Sequence, residues 1–177
     1  LVGVLNGDFE RIHVDGARNV AEAAAAAGCK TMVQLSAIGA DTASPSRYGR
    51  SKGEGERAVL EAFPDAIILR PSIVFGREDE FINRFAAMIQ MLPVVPVIGR
   101  ERTFVDIPDF AAKMMATVLG PLPGAPITSD QYKMLQKDNV VAPTAKGLDA
   151  FGVAPTPLAA VASGWMEKYT AHGRFGA

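Results

Sequence analysis

Two hydrophobic patterns alternate along the first part of this chain. Short apolar runs stand at Leu1-Val-Gly-Val-Leu5, Thr31-Met-Val-Gln-Leu-Ser36 and Ala66-Ile-Ile-Leu-Arg70. Runs of that length, rich in branched aliphatic residues, read as buried parallel strands. Between them lie helical patterns. Residues 9–27 place Phe9, Ile12, Val20 and the alanines Ala23 to Ala27 in one stripe, with Gly28 as the C-terminal stop. A second helix is expected around Tyr48 and Lys52, running through Leu60 to about Ala62 and closed by Pro64-Asp65. Asn6-Gly7-Asp8 is a turn signal, and Asp41 to Ser46 is a turn-rich loop. Two strands joined through a helix make a βαβ unit, which requires parallel pairing and favours a right-handed crossover.

After Arg70 the pattern changes. Pro71 lacks an N–H and ends the strand's pairing; the tips of parallel strands are where α/β folds bind ligands. Arg77, Glu78, Asp79 and Arg84 read as a capped, charge-laced helix start. Met91 to Ile98 is apolar but broken by prolines, an extended loop leading to a strand, and Gly99 to Phe104 is turn-like. Ile107 to Leu119 is one helix, apolar nearly all round and ended by Pro121 and Gly124. Another helix starts at Thr128 as N-cap. A last one carries Leu158, Val161, Trp165 and Tyr169 on one side. The expected architecture is α/β over residues 1–104, followed by a mostly helical segment over residues 105–177.

Composition narrows the function classes. The 177 residues suffice for a real core, and the net charge of −1 argues against a nucleic-acid binder. The single cysteine, Cys29, excludes an intramolecular disulfide and reads as a small buried hydrophobe. His13 and His172 have no ligand spacing around them, so neither is assigned to a metal. No stretch reaches the 18 or so uninterrupted apolar residues of a membrane span.

The candidate chemistry sits on Ser36, Tyr48 and Lys52. Tyr48 and Lys52 share one helical face at i and i+4. An ammonium beside a phenol favours the phenolate and pulls the phenol's pKa down. A serine delivered by the preceding strand can bond the same oxygen or a substrate carbonyl. The Tyr-x-x-x-Lys spacing alone is equally that of an exposed tyrosine beside a solvated lysine. The order of strand, Ser36, turn-rich loop and helical pair is what points to hydride-transfer chemistry with a nicotinamide cofactor.

That order resembles the extended branch of the short-chain dehydrogenase/reductase superfamily. Val14-Asp-Gly-Ala-Arg-Asn-Val20 and Arg70-Pro-Ser-Ile-Val-Phe-Gly76 resemble further segments of it. The resemblance implies a Rossmann-type parallel sheet, with Tyr48 and Lys52 on the nicotinamide ribose and Tyr48 as acid or base. It also implies Gly3, Pro71, Ile73 and Val74 as cofactor-binding positions beside Ser36, Tyr48 and Lys52. Where most of the branch has Tyr-Gly-Pro, this chain has Phe75-Gly-Arg77. The run Phe75-Gly-Arg-Glu-Asp-Glu-Phe-Ile-Asn-Arg-Phe-Ala86, with Thr128 to Val141 and Gly147 to Leu158, looks like one subgroup. That subgroup is the nucleotide-binding accessory subunit of respiratory complex I and its bacterial relatives.

The subgroup implies bound NADPH (or NADH) as a structural element, and other subunits of a large respiratory complex as partners. It implies a peripheral position on the cytoplasmic face of a bacterial inner membrane, or the matrix side in a mitochondrion. Ser36, Tyr48 and Lys52 would then be kept for ribose binding. The alternative is a free-standing NAD(P)-dependent epimerase, dehydratase or reductase of the same branch. No Gly-x-Gly-x-x-Gly occurs in the chain, although a pyrophosphate needs such a turn at a helix N-terminus. The expectation is that the N-terminal part of the Rossmann domain lies upstream of Leu1. A second expectation is that residues are missing at the Phe104–Val105 join, where the family inserts a further strand and helix.

Overall fold

The computed structural model describes residues 8–79, 82–83, 86–87, 107–122, 125 and 127–169. The expected strand at residues 1–5, the extended stretch at 91–98 and the Phe104–Val105 join lie outside the described residues, as does Gly3. The chain divides into two compact units. One comprises Leu1–Ser72 and Ile107–Val141, the other Ile73–Asp106 and Ala142–Ala177.

The first unit begins with a wide π-helical stretch, Glu10–Gly16, that runs without a break into α1, Ala17–Ala26. Gly28 adopts the left-handed conformation, with φ at 71°. Its N–H bonds the carbonyl of Ala25, and that of Cys29 bonds the carbonyl of Ala24, both at 3.0 Å. This is a Schellman ending, in which only glycine takes the turn without strain. Cys29 is therefore exposed, not buried as its residue type suggested, because it is the first residue led away from the helix end.

β1, Val33–Leu35, pairs in parallel with β2, Ile67–Leu69, in the register Val33 to Ile67, Gln34 to Ile68 and Leu35 to Leu69. The ladder continues at both ends. Ile67 N donates to Met32 O at 2.9 Å, Ser36 N to Leu69 O at 2.7 Å, and Ile38 N to Pro71 O at 2.9 Å. Helices and a small two-stranded parallel sheet are compatible with an α/β, Rossmann-like fold. The core is made by Ala17, Ala21, Met32, Val59 and Phe63, with Ala24, Ala62, Ala66 and Ile68 packed against it. The expectation of strands buried on both faces is met on one face only. Val33 and Leu35 are 54% and 61% exposed, since a parallel strand is buried twice only when helices cover both sides.

α2, Arg47–Ala62, joins the two strands. Ser46 is its N-cap, accepting from Gly49 N at 3.2 Å. Three glycines in this helix are contacts, not helix weakeners. A Cβ at Gly49 would stand 2.6 Å from Ser44 Oγ, one at Gly53 2.6 Å from the backbone at Asp41 and Thr42, and one at Gly55 2.2 Å from His13 O. At Gly16, by contrast, a Cβ would meet nothing nearer than Arg11 O at 3.5 Å, an ordinary contact.

α3, Asp109–Val118, and α4, Ser129–Leu135, pack together in the same unit. Thr128 forms a capping box with Gln131. Tyr132 Oη donates to Asp109 Oδ1 at 2.8 Å, and Ser129 Oγ donates to Ala116 O at 2.9 Å. Ala116 is buried, yet Phe110, Met114 and Val118 leave one apolar stripe of α3 exposed.

In the second unit Asp79 accepts from the backbone N–H groups of Gly76 and Ile82, the cap expected of a helix start there. A 3₁₀ turn spans Leu148–Phe151 and ends at Gly152 in the left-handed conformation. α5, Leu158–Met166, runs into a second 3₁₀ turn, Glu167–Tyr169. Among the described residues no helix is long and apolar enough to cross a membrane, and none of their acidic, histidine and cysteine side chains cluster as a metal site.

Candidate functional site

The first turns of α2 carry Tyr48 and, one turn on, Lys52. The Lys52 ammonium donates to the carbonyl of Leu35 at 3.1 Å. It therefore reaches from the helix to the last residue of β1, immediately before Ser36. Ser36 is buried, 6% exposed, and its backbone N–H belongs to the ladder. Its hydroxyl has no hydrogen-bond partner among the described residues. Buried hydroxyls are rarely left so, because desolvation without a partner costs about 1–3 kcal/mol. Pro71 stands at the end of the same ladder, its carbonyl bonded by Ile38. Ile73 and Val74 are exposed and belong to the second unit.

The π-helical stretch supplies the surroundings of Tyr48. The His13 ring meets the Tyr48 ring edge to face, with centroids 5.5 Å apart. Phe9 stacks on His13 at 5.4 Å and meets Tyr48 edge-on at 6.0 Å, with the Arg47 guanidinium over the Phe9 ring. Ser51 Oγ donates to Tyr48 O at 3.0 Å. With that proton committed, Nδ1 of a neutral His13 carries the hydrogen that bridges the 2.9 Å to Ser51 Oγ.

The electrostatics differ from the sequence expectation. Burial pushes the Tyr48 phenol above its ordinary value. Burial is the cause of that shift, and the Lys52 ammonium, bonded to the Leu35 carbonyl, does not offset it. Lys52 is itself lowered, chiefly by desolvation, while the nearby Glu56 carboxylate pulls it back up. His13 is lowered by burial first and by the Lys52 charge second. Each group here is pressed toward its neutral form. Tyr48 thus stays a protonated donor at neutral pH, suited to holding a hydroxyl-rich ligand.

Two residues in this arrangement were not singled out from the sequence. His13 lies one turn after Phe9 on the same helical face, a spacing that could have marked it. Asp130, on α4, accepts from Ser46 Oγ at 2.8 Å, Arg47 N at 2.7 Å and Tyr48 N at 3.1 Å. No local signal distinguishes it from any acidic residue in a first helical turn.

Comparison with known proteins gives the family. The family model described as RmlD substrate binding domain matches residues 8–99. The mitochondrial NADH dehydrogenase (ubiquinone) 1 alpha subcomplex subunit 9 of Rattus norvegicus is 30% identical over 208 residues, covering 86% of this chain and 55% of the relative. The same-named protein of Mus musculus is 46% identical over 107 residues, covering 60% of this chain and 28% of the relative. A ceramide reductase of Caulobacter vibrioides is 36% identical over 124 residues, covering 69% of this chain and 39% of the relative. The chain thus spans about half the length, or less, of these relatives. With more than half of its residues matched by the family model, the chain belongs to the RmlD substrate binding domain family, within the extended short-chain dehydrogenase/reductase superfamily and near its complex I accessory subunits.

Proposed function

We propose that this chain is the C-terminal part of a non-catalytic accessory subunit of a respiratory NADH:quinone oxidoreductase, and that it holds NADPH (or NADH). The observation that carries the reading is the bond from Lys52 to the Leu35 carbonyl. It sets an ammonium at the carbonyl of the residue before Ser36, whose buried hydroxyl has no partner among the described residues, with Tyr48 one turn away on the same helix. Donors on Lys52, Tyr48 and Ser36 fit the hydroxyls of a nicotinamide ribose. The orphaned Ser36 oxygen is what a bound ligand would satisfy. A nicotinamide, when bound, supplies a hydride; the residues here bind and orient.

Burial works against turnover. An acid–base tyrosine operates best with a pKa near the working pH, and Tyr48 is displaced the other way. The matches to relatives named as complex I subunits, in animals, a plant, a slime mould and a fungus, support the same reading. In this reading residues 1–104 are the C-terminal part of a Rossmann domain and residues 105–177 a helical segment. The match to the rat protein extends over 208 residues, more than this chain's 177, so that relative carries residues this chain lacks. That supports residues missing within the matched span, which this reading puts at the Phe104–Val105 join. The exposed stripe of Phe110, Met114 and Val118 suits contact with other subunits of a peripheral assembly.

The ceramide reductase relative favours a second reading, a nicotinamide-dependent reductase using Ser36, Tyr48 and Lys52. Purification from the native source in mild detergent, with calorimetric titration of NADPH and NADH, separates the two. The first reading expects co-migration with a large membrane complex, nucleotide binding weakened about tenfold by Lys52→Met, and no turnover. A soluble protein that reduces a substrate, and loses that activity in Tyr48→Phe, would establish the second.

A further inference from the structure

We propose that Asp130 is the positioning residue of this site, fixing the first turn of α2 and through it Tyr48 and Lys52. The inference rests on the reading of those two side chains as nucleotide-holding.

The first four N–H groups of any α-helix lack partners within the helix. In α2 all four are satisfied. Ser46 N bonds Ser44 Oγ at 3.3 Å, and Gly49 N bonds the N-cap Ser46 Oγ at 3.2 Å. The remaining pair, on Arg47 and Tyr48, goes to the two oxygens of one carboxylate, that of Asp130. The same carboxylate accepts a hydrogen bond from the Ser46 hydroxyl. One side chain, 82 residues distant from Tyr48, thus holds the N-cap and the first two residues of the reactive helix.

Asp130 is itself held in place. It lies in the first turn of α4, whose capping box at Thr128 and Gln131 fixes that turn. The following segment is fastened to the same part of the unit. Lys137 pairs with Asp41 at 3.9 Å, and Asn139 Nδ2 donates to Ser72 Oγ at 2.7 Å.

The glycines explain why α2 needs such a clamp. At Gly49 and Gly53 the helix lies directly on the loop around Asp41 to Ser44, with no room for a side chain. A glycine surface offers no knob to key the rotation of the helix. Directional hydrogen bonds at its end supply that key, and a carboxylate bonded to successive N–H groups defines both tilt and rotation. Tyr48 donates one of those N–H groups, so its side chain starts from a fixed backbone. Lys52 follows one turn later.

The test uses the intact protein with Asp130→Ala and Asp130→Asn; the asparagine keeps the shape and one acceptor should the alanine variant fold poorly. Two quantities are read. Amide hydrogen exchange of Arg47 and Tyr48 is expected to accelerate about tenfold or more in Asp130→Ala while Val59 and Phe63 stay protected. NADPH affinity by calorimetry is expected to fall about tenfold, and combination with Lys52→Met to add little beyond Lys52→Met alone, as coupled residues do. Asp130→Asn should lie between. Unchanged exchange at Arg47 and Tyr48 overturns the clamp. Faster exchange with unchanged affinity, or fully additive losses, overturns the positioning role and leaves a helix cap only. A wild-type protein that binds neither NADPH nor NADH refutes the proposed function and reduces Asp130 to that cap, an outcome separable because the exchange result stands on its own.

Discussion

The guanidinium of Arg70 and the carboxylate of Glu56 meet fork to fork, joining the end of β2 to the middle of α2. Glu56 is the buried partner, with 8% of its side chain exposed against 53% for Arg70. The asymmetry decides which loss matters. Arg70→Ala leaves a buried carboxylate without its donor and should cost about 1–3 kcal/mol. Arg70→Lys should recover only part, because an ammonium cannot span both oxygens as a guanidinium does. Urea denaturation of the three proteins checks this; equal midpoints for Arg70→Ala and wild type would refute it.

Gly55 offers a test of packing against propensity. Alanine is the better helix former by about 1 kcal/mol. A Cβ at Gly55 would, however, stand 2.2 Å from the carbonyl oxygen of His13. Gly55→Ala should therefore destabilise by about 1–3 kcal/mol, as overpacking does. Gly164, inside α5, has nothing within 4 Å of an added Cβ. Gly164→Ala should stabilise by about 0.5–1 kcal/mol. Thermal melts of opposite sign are the expected result.

His13 predicts a pH dependence. Its folded-state pKa lies below the ordinary 6.5, through burial and the Lys52 charge. The unfolded chain therefore takes up a proton at a pH where the folded protein resists it. The contribution is present above about pH 6.5 and lost as the pH falls through the folded value. His13→Gln, which keeps a polar group near Ser51, should flatten this part of the stability curve. Melting temperatures followed below pH 6.5 that fall equally in both proteins would exclude His13 as the source.

Ser36 separates stability from binding. Its buried hydroxyl has no partner among the described residues. Ser36→Ala should stabilise the unliganded protein by about 1 kcal/mol, and weaken NADPH binding about tenfold, the worth of one good hydrogen bond. A variant that is less stable and binds NADPH as well as wild type would contradict both halves.

Among the described residues of the first unit, α1, α2 and α4 are legible in the sequence because each has a local cause. Ala-rich periodicity ended at Gly28, Pro64-Asp65 closed α2, and Thr128 capped α4. Tyr48 and Lys52 were readable through their spacing on one helix. The remainder depended on contacts distant in sequence. Gly53 and Gly55 look like weak points in a helix until the loop at Asp41 and the His13 carbonyl are seen against them. Asp130 looks like a dipole-complementing acid until its carboxylate is seen on another helix. The direction of the Tyr48 shift was misjudged for a similar reason. Spacing announces the neighbouring charge, whereas desolvation comes from Phe9 and His13, residues brought in by the preceding helix.

The π-helical stretch before α1 has a consequence for how this molecule tolerates insertions and deletions. Its i→i+5 bonds enclose one residue more per turn than an α-helix does. Removing a single residue between Glu10 and Gly16 would restore ordinary winding and leave Phe9 close to its present angle, whereas a residue removed from within α1 would turn Phe9 and His13 by about 100° against the rest of the chain. In that second case Phe9 would swing off Tyr48, baring the phenol to water and letting its acidity return toward that of free tyrosine. The wide turn thus shields residue 48 from a lost codon whose effect the neighbouring helix would pass on in full.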